Sequence, residues 1–150
     1  MKQIAIAVAL AFPLVAQAGE CPAEQRRADG TGQKMAAHAA KDVTDKVIAS
    51  NDLSKDPIAL KGRLFRAREL VVQPGGIVPW HDHGNRPAMI YIVSGEIHEY
   101  ASTCAVPILH KAGEVARETH ATAHWWKNEG KAPVVLLSFD IQHDPNDHNM

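Results

Sequence analysis

The stretch 74-PGGIVPWHDHGNRPAMIYIVSGEI-97 carries two histidines, His81 and His83, two residues apart. A Gly84-Asn85-Arg86-Pro87 turn follows, then an apolar run closed by Ser94-Gly95. On a strand, residues i and i+2 share a face, so the two imidazoles project together. They are either two ligands to one metal or two polar residues on a solvated strand. A third donor elsewhere in the chain would decide between them.

Outward from this stretch, short runs rich in Val, Ile and Leu recur: VTDKVIAS, GRLFRARELVV, IVPWHDH, AMIYIVS, EIHEYAS, PILHK and APVVLLSFDIQ. Pro74-Gly75-Gly76, Gly95, Gly113, Gly130 and Pro133 punctuate them. Short strands at this spacing with frequent turns predict an all-β sandwich or barrel. No window holds a long 3.6-residue period. Residues 43–143 are read as one domain, 19–42 as a polar arm with a helical turn near 34–40, and 144–150 as a polar tail.

Residues 1–18 join a lysine to an apolar run and end in Ala16-Gln17-Ala18, the small-x-small pattern of a signal peptidase site. The run is shorter than the ~20 residues a span needs. The reading is a signal peptide cleaved near Ala18 and a periplasmic or secreted protein, free of the membrane afterwards. Its two cysteines, Cys21 and Cys104, are then expected to pair, the alternative being two free thiols of which one is a metal ligand. The 16 basic and 17 acidic residues nearly balance. No basic patch interleaves with aromatics, which argues against nucleic acid.

The second informative stretch is 113-GEVARETHATAHWWKNEG-130, with His120, His124, Trp125, Trp126 and Asn128. Together the two stretches resemble the two cupin motifs. The first motif runs Gly, five residues, His-x-His, three or four residues, Glu, six residues, Gly. Here Gly75 is followed by five residues, His81-Asp82-His83, four residues, position 88, and six more to Gly95. The second runs Gly, five residues, Pro-x-Gly, two residues, His, three residues, Asn. Here Gly113 leads through Thr119-His120-Ala121 to His124 and Asn128. The resemblance covers roughly residues 60–141 and is to small exported bacterial cupin-domain proteins of the type-2 kind. It implies a double-stranded β-helix, the cupin barrel, with His81, His83 and His124 as metal ligands.

The departure is at position 88, where the usual Glu is Ala88. Three readings stay open: a three-histidine site, a substitute ligand (His120, Glu118 or Glu96, with His120 preferred), or a pocket without metal. Three neutral imidazoles leave the full charge of a divalent ion, so an anionic small molecule is the expected ligand. The ion can be Fe, Mn, Zn, Ni or Cu. The resemblance is compatible with an Fe(II)-type dioxygenase-like site; a non-catalytic ligand-binding cupin and a structural cupin are the alternatives. A homodimer is also expected, since cupins commonly dimerise. Ala88, Trp126 and Arg86 are candidates for the pocket lining, Arg86 alternatively being a solvated turn residue. His98 and Tyr100 are further lining candidates by parity with position 88.

Overall fold

The protein is described from a computed structural model, over residues 19–36 and 39–143. Eight strands carry the fold: β1 (Lys41–Asp52), β2 (Leu64–Asp82), β3 (Ala88–Ser94), β4 (Glu96–Ala101), β5 (Ile108–Lys111), β6 (Val115–Glu118), β7 (Ala123–Lys127) and β8 (Val134–Gln142). They form one sheet in the order β5-β4-β7-β2-β8-β3-β6, with β1 paired to β2 outside that path. All pairings are antiparallel. The expected all-β barrel is the observed one. Among the described residues, no helix is long and apolar enough to cross a membrane.

Alternation places the core. Leu70, Val72, Val78, Ile92, Ile97, Ala116, Trp126, Val134 and Leu136 point inward and pack together. Each buried aliphatic side chain contributes about 1.5–3 kcal/mol. The runs 62–72 and 77–83, read as separate strands, are one 19-residue strand, β2. Gly75 sits within it at φ 74°, which lets the chain turn at Pro74-Gly75-Gly76 without ending the strand. Gly95, between β3 and β4, has φ 81°, and a Cβ there would meet Val134 Cγ2 at 3.0 Å. Asn128 pins the turn before β8. Its Nδ2 donates to the Val72 and Ala132 carbonyls at 2.9 and 2.8 Å, and its Oδ1 accepts from the Gly130 N–H.

The arm is attached rather than loose. Cys21 and Cys104 form a disulfide. Backbone N–H groups of Arg27, Gly32 and Gln33 donate to carbonyls of Thr103, Ser102 and Ala101. Residues 23–25 make a single 3-10 turn. The helical turn expected near 34–40 is absent at 34–36, which are irregular; residues 37–38 lie outside the described ones. At its start the arm lies against the two terminal strands of the sheet order. A Cβ on Gly19 would come 2.9 Å from Glu114 Oε2 and 3.2 Å from His110 Nδ1, and Glu20 pairs with Arg117 of β6 at 3.2 Å. The signal-like segment 1–18 and the tail 144–150 lie outside the described residues.

Candidate metal centre

His81 and His83 stand at the end of β2, and His124 faces them from β7, with His81 and His124 in register. Strict alternation would place His81 on the face opposite Val78. Both are buried, because a register irregularity between Val78 and His81 breaks the alternation. Such a bulge re-aims the side chains beyond it, and here it brings both histidines into the barrel. The three side chains are buried, and their donor atoms lie within 4.8 Å of one another.

The proton inventory of these rings is informative. His81 Nδ1 lies 2.8 Å from the Pro79 carbonyl and His83 Nδ1 lies 2.8 Å from that of Arg86. His124 Nδ1 lies 2.7 Å from Glu99 Oε1. Carbonyls and carboxylates only accept, so each ring carries its proton on Nδ1. The Nε2 lone pairs then converge: His124 Nε2 is 3.0 Å from His83 Nε2 and 3.1 Å from His81 Nε2. At this separation the nitrogens are joined either by a proton on His124 Nε2 or by a metal ion that takes its place. Metal–imidazole bonds of about 2.0–2.1 Å set neighbouring ligand nitrogens about 3 Å apart, so the donor set fits a divalent transition-metal ion.

The electrostatics agree. Burial, followed by repulsion from His124, drives His81 well below its ordinary 6.5 and His83 down to about 4. Both are therefore neutral ligands at neutral pH. Burial also opposes protonation of His124, but Glu118 and Glu99 outweigh it and raise its proton affinity. A metal would displace that proton. Burial pushes Glu99 upward, but hydrogen bonds from His110 and His124 overcome this and hold it at about 2. Burial, reinforced by the nearby charge of Glu99, lifts Glu118 to about 8.

The centre opens on a narrow cavity of about 20 Å³ walled by Leu70, Val78, Ile90, Trp126 and Leu136, with Arg68 and Ser138 also lining it. Trp126 meets His124 edge-on at 5.6 Å, while Trp125 stacks on Tyr100 at 4.0 Å. Ala88 is buried and is paired in register with Glu118 on β6 and Asp140 on β8. Two carboxylates therefore flank the small residue from either side. Asp140 is held by Arg66, Arg68 and Arg86. Glu118 lies 3.4 Å from the Nδ1 side of His124.

Several expectations need correcting. His120 is exposed on the turn before β7 and does not join the cluster, because strand parity does not hold through a turn. Glu96 is exposed at the start of β4. Arg86 is neither a solvated turn residue nor among the lining side chains: it is 3% exposed, 3.5 Å from Asp140 Oδ2. Ala88 is buried but does not line the cavity either. His98 and Tyr100 face outward, toward Glu129 and Trp125. The phase carried from position 88 is lost at Gly95, so Ile97, Glu99 and Ala101 are the inward residues of β4. Glu99 and His110, which bond each other at 2.8 Å, were missed. Their signal was present: each lies two residues from an apolar strand residue, Ile97 or Ile108, that is itself buried.

An antiparallel barrel whose neighbouring strands gather three buried histidines defines a class, the β-barrels with an inner-wall cluster that could hold a metal ion. Residues 68–140 match the family model Cupin_2, cupin domain, and the chain belongs to the cupin superfamily. A germin-like protein, subfamily 2 member 2, of Arabidopsis thaliana is 34% identical over 68 residues. That match covers 43% of this chain and 31% of the other, so the chain spans about a third of this relative's length. A predicted oxalate decarboxylase of Thermotoga maritima is 21% identical with a TM-score of 0.55, covering 77% of this chain and 96% of that one. The cupin domain of Schizosaccharomyces pombe Cnp3 is 16% identical with a TM-score of 0.52, covering 73% and 67%. At these identities the solved structures speak for the fold alone.

Proposed function

We propose that this protein is an exported metal-binding cupin that holds one divalent ion on His81, His83 and His124 and acts on a small molecule in the adjoining cavity. The observation that carries this is the convergence of three Nε2 atoms on rings whose Nδ1 atoms are all engaged elsewhere. An ion held there would supply Lewis acidity and, as Fe(II), the dioxygenase-like chemistry we favour. The chain's own part is to orient the rings and to exclude water with Leu70, Val78, Ile90, Trp126 and Leu136. With no carboxylate at 88, the ion's charge is left for an anionic ligand to balance. The Cys21–Cys104 disulfide is compatible with an extracellular location and supports export.

A second reading, a ligand-binding cupin without turnover, is favoured by one observation. The buried carboxylates Glu99 and Glu118 contact His124 on its Nδ1 side, away from the converging lone pairs. No acid or base among the cavity-lining residues other than the three histidines and the ion-paired Arg68 is then available for proton transfer. Elemental analysis of untagged protein tests the centre. One equivalent of a single metal is expected, lost in both His81→Ala and His124→Ala. No metal, and no uptake of Fe(II), Mn(II), Zn(II) or Cu(II), would exclude it. Oxygen consumption by the Fe(II)-loaded protein with small carboxylates separates the two readings.

A further inference from the structure

We infer that Glu99 is the carboxylate this centre uses in place of the one missing at position 88, acting through His124 rather than as a ligand. The inference rests on the three-histidine reading above. Of the three rings, His81 and His83 donate to neutral backbone carbonyls, and only His124 donates to a carboxylate, Glu99 Oε1 at 2.7 Å. The other oxygen, Oε2, is held by His110 Nε2 at 2.8 Å. His110 is itself 1% exposed and stacked on Trp126 at 4.7 Å. Glu99 is thus fixed at both oxygens, and its position fixes the ring of His124.

The other two buried carboxylates near the centre are placed differently. Asp140 is committed to guanidinium groups of Arg66, Arg68 and Arg86. Glu118 stands 3.4 Å from His124 Nδ1, and its Oε1 has no hydrogen-bond partner among the described residues. A carboxylate on the far nitrogen of a ligand imidazole fixes the ring and raises its basicity, and losing such a partner typically costs 10–100-fold in metal affinity. Glu99 is a positioning residue in this sense. It returns negative charge to the centre without occupying a coordination position, which a fourth ligand at 88 would do.

The test compares Glu99→Gln with Glu118→Gln, using Zn(II) competition against a chromogenic chelator and the visible spectrum of the Co(II) form. Glu99→Gln is expected to weaken Zn(II) 10–100-fold and to shift the Co(II) bands. Glu118→Gln is expected to stay within about threefold, since it makes no short bond to a ligand. A metal-independent readout is the His124 Nδ1–H proton resonance. It should lie far downfield in the wild type and in Glu118→Gln, and move upfield in Glu99→Gln. If Glu99→Gln does not fold, His110→Phe, which frees one carboxylate oxygen and keeps a ring against Trp126, should give a smaller loss in the same direction; unchanged affinity there overturns the inference. Wild-type affinity and spectrum in Glu99→Gln would overturn it while leaving the three-histidine site standing. Failure of the wild type to bind Zn(II) or Co(II) would overturn both.

Discussion

Replacing Asp140 by Asn removes one negative charge and almost no volume. Asp140 is buried and accepts from Arg66 Nε and Nη2 at 2.9 and 2.7 Å. Arg68 Nη2 lies 3.2 Å away and Arg86 Nη1 3.5 Å. Arg68 has a second anion, Asp45. Asp140 is thus the carboxylate that all three guanidinium groups share, and the substitution removes its charge. Arg66, the most exposed of the three, can turn toward water, so the cost falls on Arg68 and Arg86, which are 5% and 3% exposed. Breaking a buried pair in this way costs about 3–5 kcal/mol. An unfolding entropy of roughly 2.1 cal/mol/K per residue over some 120 residues amounts to about 0.25 kcal/mol/K. The midpoint should therefore fall by about 12–20 °C, read by circular dichroism or calorimetry. The Arg86 carbonyl also holds His83 Nδ1, so metal affinity should weaken in the same variant. A midpoint within about 4 °C of wild type, equivalent to about 1 kcal/mol, would show that the cluster is not the buried keystone its geometry indicates.

The metal-free protein should be most stable near pH 6–6.5. Below 6.5 the unfolded chain takes up protons that His81 and His83, lowered in the folded state, refuse, so stability falls with pH. Above 4.5 the folded chain keeps a proton that the unfolded chain has lost, because the buried Glu118–His124 pair as a whole binds protons more tightly, so this contribution is lost as pH rises. Each unmatched proton is worth up to about 1.4 kcal/mol per pH unit. Thermal melts in chelator at pH 5, 6.5 and 8 check this; a midpoint still rising from 6.5 to 8 contradicts it. Metal affinity should rise with pH over the same interval, since binding displaces the His124 proton. Converting Cys21 and Cys104 together to Ala opens a loop spanning a sequence separation of 83 and should cost about 4–5 kcal/mol. A melt unchanged from the oxidised wild type would show that the arm contributes nothing through its bridge.

The three-histidine cluster was legible because it is carried by spacing. His81-x-His83 and His124 sit at fixed distances from Gly75, Gly95, Gly113 and Asn128, and those glycines and the asparagine are turn residues whose roles the structure shows. Glu99 was not legible in that way. It belongs to the histidine centre through a bond between β4 and β7, and only the pairing of Ala101 with His124 brings it there. His120 misled for the opposite reason, since it looked near in sequence while the turn before β7 turned it to solvent.

The alternation that builds the barrel, the turns that divide it and the three imidazoles it can present to a metal are written in the order of residues. These are local properties, set by residue type and by separations of a few positions. The tertiary structure alone decided which face His81 and His83 take, because a bulge at Val78–His81 overrides their parity. It alone decided that Arg86 is buried against Asp140, that Glu118 and Asp140 flank Ala88, and that Glu99 joins His124 to His110. Each of these depends on strands distant in the chain lying side by side. A buried charge finds its partner across the sheet, where desolvation makes an unpaired one too costly to keep.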